Sequence, residues 1–256
     1  MPTVRSSSPV VTILQEKGQT GSVEFTGVEE ADQLIRDLDG TPHAFVLACL
    51  MDIGIRFQRA WLIPYEFHLR LGGFSFAHLE SLSKNRILKI MQSRPQSPHS
   101  GRYTTLHRWP EKMGERFYEA LDVIARKYDG DASNIWQGTP SSAEVVLRFL
   151  DFHGAGPKIA TMAANILARN FKISLSDHYS IDISLDTHVR RVLPRLGLVA
   201  PNSSDERLIY TARALNPNYP GLIDLPLWNI GRQWCKPREP LCDQCYMSTV
   251  CPKKGI

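Results

Sequence analysis

Cys235, Cys242, Cys245 and Cys251 fall within one 17-residue stretch, CKPREPLCDQCYMSTVC, and nothing else in the 256-residue chain restricts its fold so strongly. Thiols this close in sequence can all reach a single centre. The total of five cysteines is odd and four of them lie in the last 22 residues, which reads as metal ligation and not as a disulfide framework. Structural zinc is one reading, because the Cys242-x2-Cys245 pair suits a tetrahedral ion. An iron–sulfur cluster is the other. The single pair flanked by lone cysteines favours it, since zinc ribbons set two such pairs far apart. Cys49, alone in the apolar run AFVLACLM, reads as a core thiol.

The rest of the chain is helical in pattern. From about Glu29 to Ile230 apolar residues recur at three and four positions, as in Phe45, Leu47, Ala48 and Met51, or Phe117, Ala120, Leu121, Ile124 and Ala125. Breaks at Gly72-Gly73 and at 94–101, 129–133, 138–142, 153–157 and 217–221 divide the pattern into roughly ten helices. The expected fold class is therefore all-α. The 1–27 segment reads as an N-terminal arm, and 171–186, FKISLSDHYSIDISLD, as a loop with an extended piece. With 43% apolar residues the chain can bury a core. The net charge of +4 permits a polyanionic partner without requiring one. No apolar run reaches 18 residues and the first residues lack a secretory stretch, so the expectation is a cytoplasmic protein without membrane contact, monomeric by default.

Two places carry candidate chemistry. Ser142 opens the segment SAEVVLRFL, Asp151-Phe152-His153-Gly154-Ala155-Gly156-Pro157 follows, and KIATMAANILAR resumes the helix. Gly154 and Gly156 let the backbone approach a ligand, and Pro157 suits the first position of a helix. The N–H groups of that helix start, with the positive end of the dipole behind them, can hold a DNA phosphate. A glycine pair between helices also serves simply to end one and turn into the next. Lys158 sits just inside the second helix, where the dipole and partial burial would both favour the free amine. Pointing at a phosphate is its plainer role. Asp186 precedes the helical pattern THVRRVL and is expected to cap it, a role compatible with stabilising a developing positive charge on a sugar ring.

Taken in order and spacing, Gly154-x-Gly156-x-Lys158, then Leu185-Asp186-Thr187-His188-Val189, then Cys235-x6-Cys242-x2-Cys245-x5-Cys251 resemble the endonuclease III group of helix-hairpin-helix (HhH-GPD) DNA glycosylases. The resemblance runs from about Glu29 to Pro252. It implies a two-lobed helical fold: a six-helix-type lobe over about 40–185 with the hairpin at 151–158, a second lobe from 28–39 plus 186–234, and a [4Fe-4S] cluster loop at 235–251. It also implies a partner, double-stranded DNA containing a damaged base or abasic site. Lys158 would attack C1′ of a flipped nucleotide and form a Schiff base, Asp186 would assist, and strand scission by β-elimination would follow.

The expected function is thus base-excision repair by a DNA glycosylase with AP-lyase activity, an oxidised pyrimidine being the default substrate. One alternative is a monofunctional glycosylase for alkylated, deaminated or mismatched bases that uses Asp186 and water. The other is a non-catalytic iron–sulfur DNA-binding protein. Lys236 and Arg238, in the stiff loop between the first two cysteines, join Gly154 and Gly156 as candidate DNA contacts. Met51, Asp52, His178 and Tyr179 are candidates for the base pocket or wedge, Met51 standing where the family usually has a polar residue. His153 replaces a frequent proline, and the 170–186 connection is longer than in the simplest members.

Overall fold

The computed structural model describes residues 8–97 and 103–256. The expected break at 94–101 and the N-terminal arm therefore lie partly outside the described residues. Thirteen α-helices are present among them: α1 (Pro9–Thr20), α2 (Glu29–Arg36), α3 (Pro42–Met51), α4 (Phe57–Trp61), α5 (Ile63–Leu71), α6 (Phe76–Glu80), α7 (Lys84–Met91), α8 (Pro110–Lys127), α9 (Ser142–Leu150), α10 (Pro157–Arg169), α11 (Thr187–Arg195), α12 (Asp205–Leu215) and α13 (Asp224–Gln233). Short 3₁₀ turns fall at Ala132–Ile135, Pro220–Ile223 and Cys242–Gln244. No strand occurs among the described residues, and 171–186 is irregular throughout, so its extended piece joins no sheet. None of the described helices is long and apolar enough to cross a membrane.

The chain divides into two compact units. The first comprises the described residues up to Val23 with Thr139–Val146 and Ala160–Ile256; the second comprises Glu24–Gly138 and Leu147–Ile159.

The core of the second unit is α3, whose ten residues are all buried. Its sequence reads as amphipathic, yet tertiary packing covers every face. Phe45 explains why: its ring lies 6.0 Å from Trp61, 6.0 Å from Trp136 and 6.4 Å from Phe149, so aromatic rings close over it from separate segments. Burying such a side chain contributes about 2–3 kcal/mol. The long α8 keeps the expected stripe, with Met113, Phe117, Ala120, Leu121 and Ile124 inward at three- and four-residue spacing, and Phe117 stacks on Phe67 at 4.3 Å.

In the first unit, α1 occupies what the sequence presents as an arm. Ser8 caps it, accepting from the Val11 N–H, and Val10, Val11 and Leu14 are buried with Val189, Val192, Leu193, Ile223, Leu227 and Met247. Those scattered apolar residues are enough to dock the helix once α11 and α13 supply a surface. Cys235, Cys245 and Cys251 pack on the edge of this same cluster.

Candidate active site

The hairpin forms as the glycine pattern requires. Gly154 has φ +86°, a left-handed conformation that favours glycine, and a Cβ there would push the end of the Arg116 side chain aside. Gly156 is different: a Cβ on it would meet open space. Pro157 begins α10 and Lys158 follows it.

Lys158 is 38% exposed and reaches back 106 residues to the end of α3. Its Nζ donates to the Asp52 carbonyl at 3.3 Å and stands 3.6 Å from Asp52 Oδ2, a carboxylate whose side chain is only 12% exposed. Asp52, considered for the base wall, is thus the counter-charge of the candidate nucleophile. Met51, its neighbour, is 0% exposed. A wedge has to stand at the surface, so Met51 does not occupy that position, because α3 is enclosed on all sides.

The turn bearing Asp52 is held from beneath. Cys49 is fully buried; burial pushes its thiol well up, the Asp52 charge adds to this, and Lys158 opposes it. His107 is fully buried too, and its Nδ1 accepts the Trp109 N–H at 3.1 Å, so the remaining ring proton is on Nε2. The Ile53 and Met51 carbonyls lie near the ring, although Nε2 itself makes no hydrogen bond of ordinary geometry. Burial, then the Arg59 charge, lower the His107 pKa from 6.5 to about 4, with the two carbonyls opposing. A base whose folded pKa is depressed contributes stability that is present above pH 6.5 and is lost as pH falls through about 4. The melting-temperature gap between wild type and His107→Gln should therefore narrow as pH falls across that window; a gap independent of pH would show that His107 is not held neutral.

Trp109 carries no motif that marks it in the sequence, yet it is the exposed aromatic at this turn. It is 41% exposed, its ring lies where a Cβ on Gly54 would be, and Gly54 has φ +68°. Arg108 stands over the ring at 5.3 Å. The one available signal is Pro110, which starts α8 and leaves Trp109 outside the helix and its apolar stripe.

Asp186, in the first unit, caps α11 as expected: Oδ1 accepts the His188 and Val189 N–H groups, both at 2.8 Å. The cap occupies Oδ1 alone. Its own N–H bonds the Ser184 carbonyl at 2.7 Å, and Ser184 N–H in turn donates to buried Asp224 at 2.7 Å. Burial raises the Asp224 pKa from 3.8 to about 6; the Ser184 N–H and Arg169 oppose this, and Asp186 adds to it. His178 and Tyr179 part company. The His178 ring packs 4.7 Å from Tyr219, whose hydroxyl donates to Asn165 at 2.6 Å, whereas Tyr179 is 61% exposed.

The four C-terminal cysteines come together. With Arg195, Trp234 and Met247 among their neighbours, Cys235, Cys242, Cys245 and Cys251 line one pocket. Arg195 Nη1 donates to Cys235 Sγ at 3.4 Å, and the Lys253 N–H to Cys251 Sγ at 3.4 Å. Burial pushes the Cys245 and Cys251 thiols up, and the neighbouring sulfurs push further. Among the described residues no group of three or more cysteine, histidine, aspartate or glutamate side chains is gathered tightly enough for a single ion. Four sulfurs lining one pocket, with a guanidinium on one and a backbone N–H on another, suit anionic thiolate ligands. Of the two loop cations, Lys236 donates to the Arg232 carbonyl, and Arg238 is exposed.

Solved structures define the fold. The chain is similar to a thermostable thymine-DNA glycosylase, with a TM-score of 0.61 at 16% identity, covering 94% of this chain and 93% of that one. It is also similar to endonuclease III in a trapped covalent intermediate with DNA, with a TM-score of 0.57 at 15% identity, covering 87% and 92%. The fold is that of the helix-hairpin-helix glycosylases. In sequence the chain is endonuclease III-like: it is 29% identical to endonuclease III of Thermotoga maritima over 140 residues, 55% of this chain and 56% of that protein. Endonuclease III homolog 1, chloroplastic, of Arabidopsis thaliana is 29% identical over 133 residues, 49% of this chain and 30% of that protein. The chain spans about half the length, or less, of these curated relatives. No protein-family model matches it.

Proposed function

We propose that this protein is a base-excision repair DNA glycosylase that acts on damaged duplex DNA and carries AP-lyase activity. The observation that carries the reading is Lys158: a primary amine at the start of α10, directly after a glycine-favouring hairpin turn, with a carboxylate beside it. Binding DNA alone requires a cation there, but not one paired with a largely buried acid. The turn around Gly154 and Gly156 would hold a phosphate without reading sequence, and Arg238 is exposed for a second one, with Lys236 beside it. Asp186, with only Oδ1 committed to its helix, would stabilise the positive charge that develops on the sugar as the base departs. Lys158 would bond to C1′. An oxidised pyrimidine is the default substrate, and Trp109 and Tyr179 are exposed aromatics able to stack on bases.

Cys235, Cys242, Cys245 and Cys251 would hold a [4Fe-4S] cluster, in keeping with the pocket that all four line and the N–H donors aimed at two of them. When bound, the cluster ties the C-terminal loop to α11 and supplies no bond-breaking chemistry. The protein would work as a monomer in the cytoplasm.

The test is a panel of duplexes, each bearing one damaged base or an abasic site, incubated with the holoprotein and borohydride. The expected result is release of one class of base together with a covalent protein–DNA adduct. Base release without an adduct leaves the monofunctional mechanism, in which Asp186 and water do the work. Tight DNA binding with no release from any duplex reduces the protein to a binding module.

A further inference from the structure

Asp52 holds Lys158 in two ways that can be separated. The backbone carbonyl at position 52 accepts from Nζ at 3.3 Å, and any residue there would provide it; the carboxylate, 3.6 Å away, is specific to Asp52. Its position is fixed. Asp52 closes α3 with its N–H on the Cys49 carbonyl, Ile53 N–H returns to the Met51 carbonyl at 2.8 Å, and His107 lies under that turn. The buried Cys49 thiol faces the pair, His107 with the Arg59 and Arg116 charges near it lies against the Met51–Ile53 backbone, and the Asp52 carboxylate stands next to the amine within this unit.

We propose that Asp52 is the proton acceptor for Lys158, taking a proton from the ammonium so that the amine can attack C1′. The proposal rests on the lyase reading above and assigns to Asp52 a step distinct from charge stabilisation by Asp186. At an abasic aldehyde the balance is as follows. One ammonium proton passes to Asp52, the nitrogen lone pair bonds to C1′, and the carbonyl π pair moves onto oxygen. A second proton leaves the nitrogen, joins the one returned by Asp52, and departs with that oxygen as water. The iminium keeps the third.

Asp52→Asn is close to isosteric and leaves the backbone anchor of Lys158 in place, so its effect reports the carboxylate. Borohydride trapping on an abasic-site duplex would be followed in single turnover between about pH 6 and pH 10, with DNA affinity and melting temperature measured alongside. Trapping should be slower by about a hundredfold near neutral pH, with the deficit closing as pH rises and hydroxide frees the amine instead. Trapping by Asp52→Asn as fast as wild type at neutral pH, or a deficit equal at every pH, overturns the proposal in favour of simple placement. Asp52→Glu is the second variant: it should keep the wild-type pH profile at a reduced rate, and a profile like that of Asp52→Asn sinks the idea. If the wild-type protein releases base but never forms an adduct, the lyase reading itself falls, and the proposal with it.

Discussion

Lys158→Ala should abolish the borohydride adduct and lower strand scission by at least about a thousandfold, because Lys158 supplies the amine beside Asp52 and the loss of a nucleophile is rarely compensated. DNA affinity should change far less. Removing one phosphate-binding cation reduces the slope of log affinity against log salt by about one, and affinity accordingly. The variant also leaves the Asp52 carboxylate, 12% exposed, without its cation, so a modest drop in melting temperature is expected alongside. Single-turnover scission and trapping, compared with salt-dependent binding, separate these effects. If scission survives in Lys158→Ala while the adduct disappears, the lysine is trapped by proximity and is not the nucleophile. If base release is unchanged and neither wild type nor variant nicks DNA, the monofunctional mechanism holds.

The second large effect belongs to Asp186. Asparagine caps a helix about as well as aspartate, so Asp186→Asn keeps the bonds to His188 and Val189 and should melt within about 0.5 kcal/mol of wild type. It nevertheless removes a full negative charge from a half-buried position. Base release is expected to fall by about a hundredfold to a thousandfold if that charge stabilises the sugar cation. Asp186→Ala should lose the same activity and a further ~1 kcal/mol of stability with the cap. Undiminished base release in Asp186→Asn would leave the residue as a helix cap and nothing more. Asp224 gives this comparison a pH signature, since its carboxyl, raised to about 6, is bonded to Ser184 two residues before Asp186.

Much of the site was legible because it is built from local signals. The Asp186 cap, the glycine at position 154 and the helix start at Pro157 each depend on atoms within a few residues, and spacing in the sequence reports them directly. The same holds for the cysteines, which lie too close along the chain to avoid one another. The periodicity of α8 was readable because one of its faces stays wet. That of α3 misled. Three- and four-residue spacing identifies a helix and an apolar stripe, but only the rings arriving from Trp61, Trp136 and Phe149 decide that no face remains for solvent. Met51, a candidate through its place in the family pattern, is enclosed for the same reason.

The sequence by itself determined the helical class, the left-handed turn before Lys158, the cap before α11 and the closeness of four thiols along the chain, since each is settled by backbone sterics, short hydrogen bonds or chain length. Tertiary structure alone decided what Lys158 touches. Its bond to Asp52 spans 106 residues, and no local propensity carries information over that distance. It likewise decided that His107 is held uncharged beneath the turn and that Trp109 is the aromatic at its surface, because burial and exposure belong to the packed chain and not to any segment of it.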